Sequence, residues 1–99
     1  MKFELVNDKI IVAFDTDLVA SYVKEVLKEV REKLEGEKYG ELEVDIADVK
    51  VVDSLGINFL VGLYKMCSKN NHKFKVVGVS DTIKRLFTLY NLCGYFNVS

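Results

Sequence analysis

The 99-residue chain has no proline, no tryptophan, one histidine and only two cysteines, Cys67 and Cys93. Two thiols far apart in sequence, with no histidine pattern beside them, exclude a metal cage and a disulfide framework. They read as buried thiols, and no metal is expected. Neither sign of charge is in excess: 14 Lys and Arg against 15 Asp and Glu leave a formal net charge of −1. Such a balance gives no electrostatic footprint for nucleic acid or anionic lipid, so neither is expected as a partner. Long apolar runs are missing too. The longest, Leu55–Tyr64, is too short to cross a bilayer, and "MKFELVND" lacks an apolar signal core, so no membrane insertion and a cytoplasmic location are expected. The six glycines, Gly36, Gly40, Gly56, Gly62, Gly78 and Gly94, are too dispersed to build a phosphate loop. No nucleotide or other cofactor is expected.

What remains is the composition of a folded domain, 49% hydrophobic and 29% charged, with no repeat, linker or low-complexity tract. One domain over residues 1–99 is expected. Phe3 and Leu5 alternate with polar neighbours, Asn7–Asp8 is a turn pair, and "IIVAF" at 10–14 is a β-branched run, which together predict a hairpin. Apolar residues at helical spacing predict a helix over 17–35, with the acids and hydroxyl of "DTD" at 15–17 at its start. Strict alternation in "ELEVDI" at 41–46 predicts a strand with one covered face. A second helix over 55–70, a strand over 72–79, a third helix over 80–91 ended by Cys93–Gly94, and a short strand at 96–98 complete the pattern. The expected fold is α/β, a small mixed, largely parallel sheet of four to five strands with helices on one face.

Ser54, in "VVDSLGINFL", falls at or next to the N-cap of the second helix. Capping by serine stabilises a helix by about 0.5–2 kcal/mol, which accounts for the residue without any further role. The same geometry suits a phosphate carried on the hydroxyl, because free N–H groups and the helix dipole favour negative charge there. Along that helix Ile57, Leu60, Val61, Leu63, Tyr64 and Cys67 share a core face. Asn58, Gly62, Lys65 and Lys69 form an outward strip flanked by Leu55, Phe59 and Met66. Gly62 costs roughly 1 kcal/mol relative to alanine in mid-helix, so Leu55, Asn58, Gly62 and Met66 read as a small patch for a docked protein, the alternative being that Leu55 and Met66 merely widen the core face. Ser54 as a hydrolytic nucleophile is disfavoured: no Gly-x-Ser-x-Gly surrounds it, and His72 lies in the polar turn "SKNNHKF", where it reads as a solvated residue with no acid to orient it.

The stretches "VVDSLGINFLVGLYK" and "KVVGVSDTIKRLFTLYNLCGYFNV" resemble the STAS domain of bacterial anti-sigma factor antagonists, and the likeness runs in outline along nearly the whole chain. Asp53, Ser54, Gly56 and Ile57 fall on the family's Asp-Ser-x-Gly-Leu hallmark, and Ser80 through Phe87 on its Ser-x-x-hydrophobic-x-Arg segment. The resemblance implies that Ser54 is phosphorylated by an anti-sigma factor that is a serine kinase and reset by a serine phosphatase. ATP and Mg²⁺ would belong to the kinase, and the chain itself would be no enzyme, a monomer or weak dimer. The docking residues it implies are Asp53, Ser54, Leu55, Gly56, Asn58, Gly62 and Met66, with Asp17 or Asp15 as the loop acid. Leu55 stands where the family commonly has Ser, Thr or Ala, and "FDTDL" replaces its Gly-x-Leu-Asp. Leu55 keeps an alternative in view, an unphosphorylated STAS scaffold or adaptor subunit of a signalling or transport assembly.

Overall fold

Residues whose side chains alternate between apolar and charged become a sheet with one dry and one wet face. The computed structural model describes residues 1–99, in the order β1 (Lys2–Val6), β2 (Lys9–Ala13), α1 (Ala20–Leu34), β3 (Glu41–Asp45), α2 (Ser54–Lys69), β4 (Lys73–Val77), α3 (Asp81–Leu89) and α4 (Cys93–Phe96). The four strands lie in sequence order, β1 antiparallel to β2 and the rest parallel. Asn7, with φ 57°, takes the left-handed conformation in the hairpin turn, where asparagine is tolerated. This is the expected mixed α/β sheet, at the lower strand count.

Ile10, Val12, Leu42, Val44, Phe74 and Val76 turn to the buried side, and Val26, Val30 and Leu34 of α1 with Ile57, Phe59, Leu60, Leu63 and Cys67 of α2 close over them. Lys9 on the wet face pairs with Glu43 at 3.2 Å and Glu41 at 3.7 Å across the parallel ladder. Below α3, Phe96 packs edge-on against Phe74 and Phe87 and is fully buried.

Four expectations are corrected. No strand forms at 96–98: Cys93–Phe96 is a helical turn, and Asn97 has φ 46°, which ends any extended run. Accordingly α3 ends at Leu89, and Cys93–Gly94 begin the next turn rather than stop that helix. Phe59 is core, edge-on to Phe14 with ring centroids 5.7 Å apart, because α2 is covered over a wider arc than its outward strip suggested. His72 is half-buried and lies on the Tyr39 ring at 4.2 Å, with Nδ1 shut away from solvent, so it is not a solvated loop residue. Both cysteines are free; Cys67 is buried as expected and Cys93 only half so. No helix is long and apolar enough to cross a membrane.

Candidate functional site

The β2–α1 and β3–α2 loops meet where the parallel strands end. Leu18 N–H donates to the Val51 carbonyl at 3.0 Å, and Asp53 N–H returns to the Leu18 carbonyl at 3.1 Å, a single parallel bridge that continues the sheet beyond β2 and β3. Ligand sites of open α/β sheets gather at this end of the strands.

Two carboxylates fasten the crossing. Oδ1 of Asp17 accepts from Lys50 N–H at 2.9 Å and Val51 N–H at 3.1 Å. Asp53 serves two helices at once: Oδ1 accepts Gly56 N–H at 2.9 Å at the start of α2, and Oδ2 accepts Ala20 N–H at 2.9 Å at the start of α1. Those two donors, Gly56 first and then Ala20, hold the Asp53 carboxyl below the ordinary carboxylate range, because both bonds favour the ionised form. Gly56 packs directly beneath, and a Cβ there would lie 2.9 Å from both the Leu18 carbonyl carbon and Val52 Cγ1.

These contacts revise several expected roles. Ser54 is not the N-cap; Asp53 is, and Ser54 is the first residue of α2 with its side chain exposed. Nor does "DTD" cap α1, which begins at Ala20 rather than 17. Its N-cap is Val19, which makes no side-chain cap bond, while Asp15 pairs with the Met1 ammonium at 3.0 Å and Asp17 braces the facing loop. Asp17 is a half-buried loop brace, and Gly56 is buried and so is not itself surface offered to a neighbour. Sequence reasoning missed Asp53's second bond, to Ala20, because nothing in the local sequence signals a helix start capped from 33 residues away.

Two aliphatic residues flanking Ser54 in the sequence are exposed, Val51 at 52% and Leu55 at 49%. Asn58 and Gly62 are exposed on α2, Met66 is half-buried, and all three line a cleft shared with Leu27 and Arg31 of α1. The space beside Gly62 is open: apart from its chain neighbours and the adjoining helix backbone, no atom lies within 4 Å of where its Cβ would be. Within the molecule nothing requires glycine there. The combination is an exposed hydroxyl on a braced helix start, rimmed by two aliphatic side chains and continued by a strip of small or polar residues.

Compared with known proteins, the chain matches the STAS domain family over residues 2–99. An anti-sigma-B factor antagonist of Staphylococcus epidermidis is 31% identical over 78 residues, 79% of this chain and 72% of that protein. Among solved structures, a candidate anti-sigma factor antagonist from Thermotoga maritima superposes with a TM-score of 0.90 at 21% identity, covering 98% of this chain and 83% of that one. The anti-sigma factor antagonist SpoIIAA in its unphosphorylated form gives 0.81 at 12% identity over 99% and 86%; its phosphorylated form gives 0.74 at 12% over 99% and 89%. At these identities the solved structures speak for the fold.

Proposed function

This chain belongs to the STAS domain family of anti-sigma factor antagonists, and from that premise we propose that it is a phosphorylation-switched binding module whose partner is an anti-sigma factor with serine kinase activity. The observation that carries the reading is the separation of tasks between Asp53 and Ser54: the carboxylate holds the helix start, and the neighbouring hydroxyl stands exposed and relieved of capping. In the proposed cycle the unmodified form docks Ser54, Val51, Leu55 and the strip through Asn58, Gly62 and Met66 on the partner. The kinase transfers the γ-phosphoryl of ATP to the Ser54 oxygen, the hydroxyl proton leaves, ADP is released, and a serine phosphatase later restores the hydroxyl by hydrolysis.

The magnitudes are adequate. A phosphate adds about −1.5 to −2 charges in the middle of a surface that must lose water on docking, beside a carboxylate that stays ionised. At an effective dielectric near 20, each phosphate charge brought about 4 Å from a like charge on the partner raises the energy of the complex, and not of the free protein, by roughly 4 kcal/mol. Driving a complex from about 99% to 1% takes roughly 5.5 kcal/mol, so one phosphate with about two charges is of the right size and no change of shape is needed. In the free protein the same phosphate sits at a helix N-terminus, where negative charge is favoured, so the fold survives modification.

The test is intact mass after incubation with ATP and the cognate kinase, for wild type and Ser54→Ala. One added phosphate in wild type and none in the variant is expected. Ser54→Asp should lower partner affinity by about tenfold or more while the melting temperature moves by no more than about 3 °C. A chain that gains no phosphate, with Ser54→Asp binding as well as wild type, would return it to the scaffold or adaptor role.

A further inference from the structure

The sheet has two edges, and the chain treats them differently. Along β4 the C-terminal segment covers the edge: Asn97 Nδ2 donates to the Phe74 carbonyl at 2.9 Å, Ser99 N–H to the Val76 carbonyl at 3.1 Å, and Val79 N–H to the Ser99 carbonyl at 3.4 Å. No such segment lies along β1, the other edge strand. Phe14 N–H donates to the Asp45 carbonyl, so the even-numbered residues of β2 face β3 and the odd-numbered ones face β1. Their partners are Lys2, Glu4 and Val6, which leaves the backbone groups of Phe3 and Leu5 directed away from the sheet. On that strand Leu5 is 55% and Val6 40% exposed. An uncovered edge with exposed aliphatic side chains is a template for another strand.

We propose that β1 pairs antiparallel with β1 of a second copy of this chain, about a two-fold axis through Phe3, joining two sheets into one of eight strands. The strand's own charges select the occupant and the register. With the axis at Phe3, Lys2 of each copy faces Glu4 of the other in the closely spaced, non-hydrogen-bonded position, where opposite charges attract most. Phe3 faces Phe3 with its outward N–H and carbonyl paired, and Phe3 and Leu5 both lie on the helix-covered face, opposite Val12 and Ile10 of β2. Moving the axis to Glu4 sets Glu4 against itself, and moving it to Leu5 sets Phe3 against the turn residue Asn7. Charged edge residues ordinarily discourage pairing; here one register turns them into mutual partners. Ser54 leaves the sheet from the β3 side, two strands inward, so the edge contact does not use the docking surface described above.

The test is sedimentation equilibrium of the intact chain from about 1 μM to 1 mM, a span suited to a small interface. Wild type should reversibly dimerise within it. Lys2→Glu and Glu4→Lys should each weaken dimerisation by about tenfold or more, since each replaces two attractive pairs by two repulsive ones. The double variant should recover wild-type association to within about threefold, because exchanging the two charges sets opposite signs against each other again. Both positions are exposed, and circular dichroism checks that every variant is folded. Wild type monomeric throughout, single variants that dimerise unchanged, or a double variant no better than the singles would overturn the proposal.

Discussion

Gly56→Ala and Gly62→Ala add the same methyl group at two places on one helix, and the structure assigns them opposite signs. In a helix, alanine is favoured over glycine by about 1 kcal/mol. Beside Gly62 there is open space, so Gly62→Ala should keep that gain and raise the melting temperature by about 4–8 °C. At Gly56 the new carbon would sit 2.9 Å from the Leu18 carbonyl carbon and Val52 Cγ1, and closer still to the Leu18 oxygen. Carbon atoms settle at about 3.5–4.0 Å, so the Leu18 segment would have to retreat by at least about half an ångström. That segment is not free to move: its carbonyl accepts Asp53 N–H at 3.1 Å and its N–H donates to Val51 at 3.0 Å. Two weakened bonds of about 1 kcal/mol each and overpacking of about 1–3 kcal/mol, less the helix gain, leave a net loss of roughly 2–4 kcal/mol. For a domain of this length that is a melting temperature lower by about 8–32 °C. Urea and thermal unfolding of the two variants beside wild type would decide it. A Gly56→Ala protein as stable as wild type would refute the claim that this glycine exists for the loop crossing.

Two further expectations concern titratable groups. The Asp53 carboxyl is depressed in the folded state, so its stabilising effect is present above the unfolded value, about pH 4, and is lost as pH falls through the lower folded value. Urea midpoints between about pH 2 and 6 should therefore fall more steeply for wild type than for Asp53→Asn, which has no charge there to lose; parallel profiles would remove the helix-bracing role. Burial pushes the Cys67 thiol up to about 11, so a thiolate-selective reagent at about pH 8 should label half-buried Cys93 and leave Cys67 untouched until urea is added. Mass mapping of the labelled peptides reads this directly.

The order of strands and helices was legible because each element carries its own period. "ELEVDI" alternates and yields a strand with half-buried Glu41, Glu43 and Asp45 on the wet face, and the spacing of Val26, Val30 and Leu34 yields one buried helical stripe. What the sequence concealed was arranged by distant residues. The start of α1 was misread because its capping carboxylate belongs to Asp53, in another loop, while Asp15 and Asp17 bond elsewhere. "YFNV" has the alternation of a strand, yet Phe96 is drawn into a cluster with Phe74 and Phe87, and a left-handed Asn97 turns the chain away. Ser54 stands at the helix end where the sequence reading put it, next to the N-cap. Only coordinates could transfer the capping task to its neighbour and leave the hydroxyl outside.

The Asp53 staple has a consequence for how such a switch would evolve and signal. A side chain that ties the starts of two helices to one corner keeps that corner stiff whatever stands at the next position. Under the proposed switch, a phosphate at residue 54 would act as a change in what the surface repels, with no need for the scaffold to relay strain. In that scheme the group that holds the corner and the group that would carry the signal are adjacent residues, Asp53 and Ser54, with separate tasks.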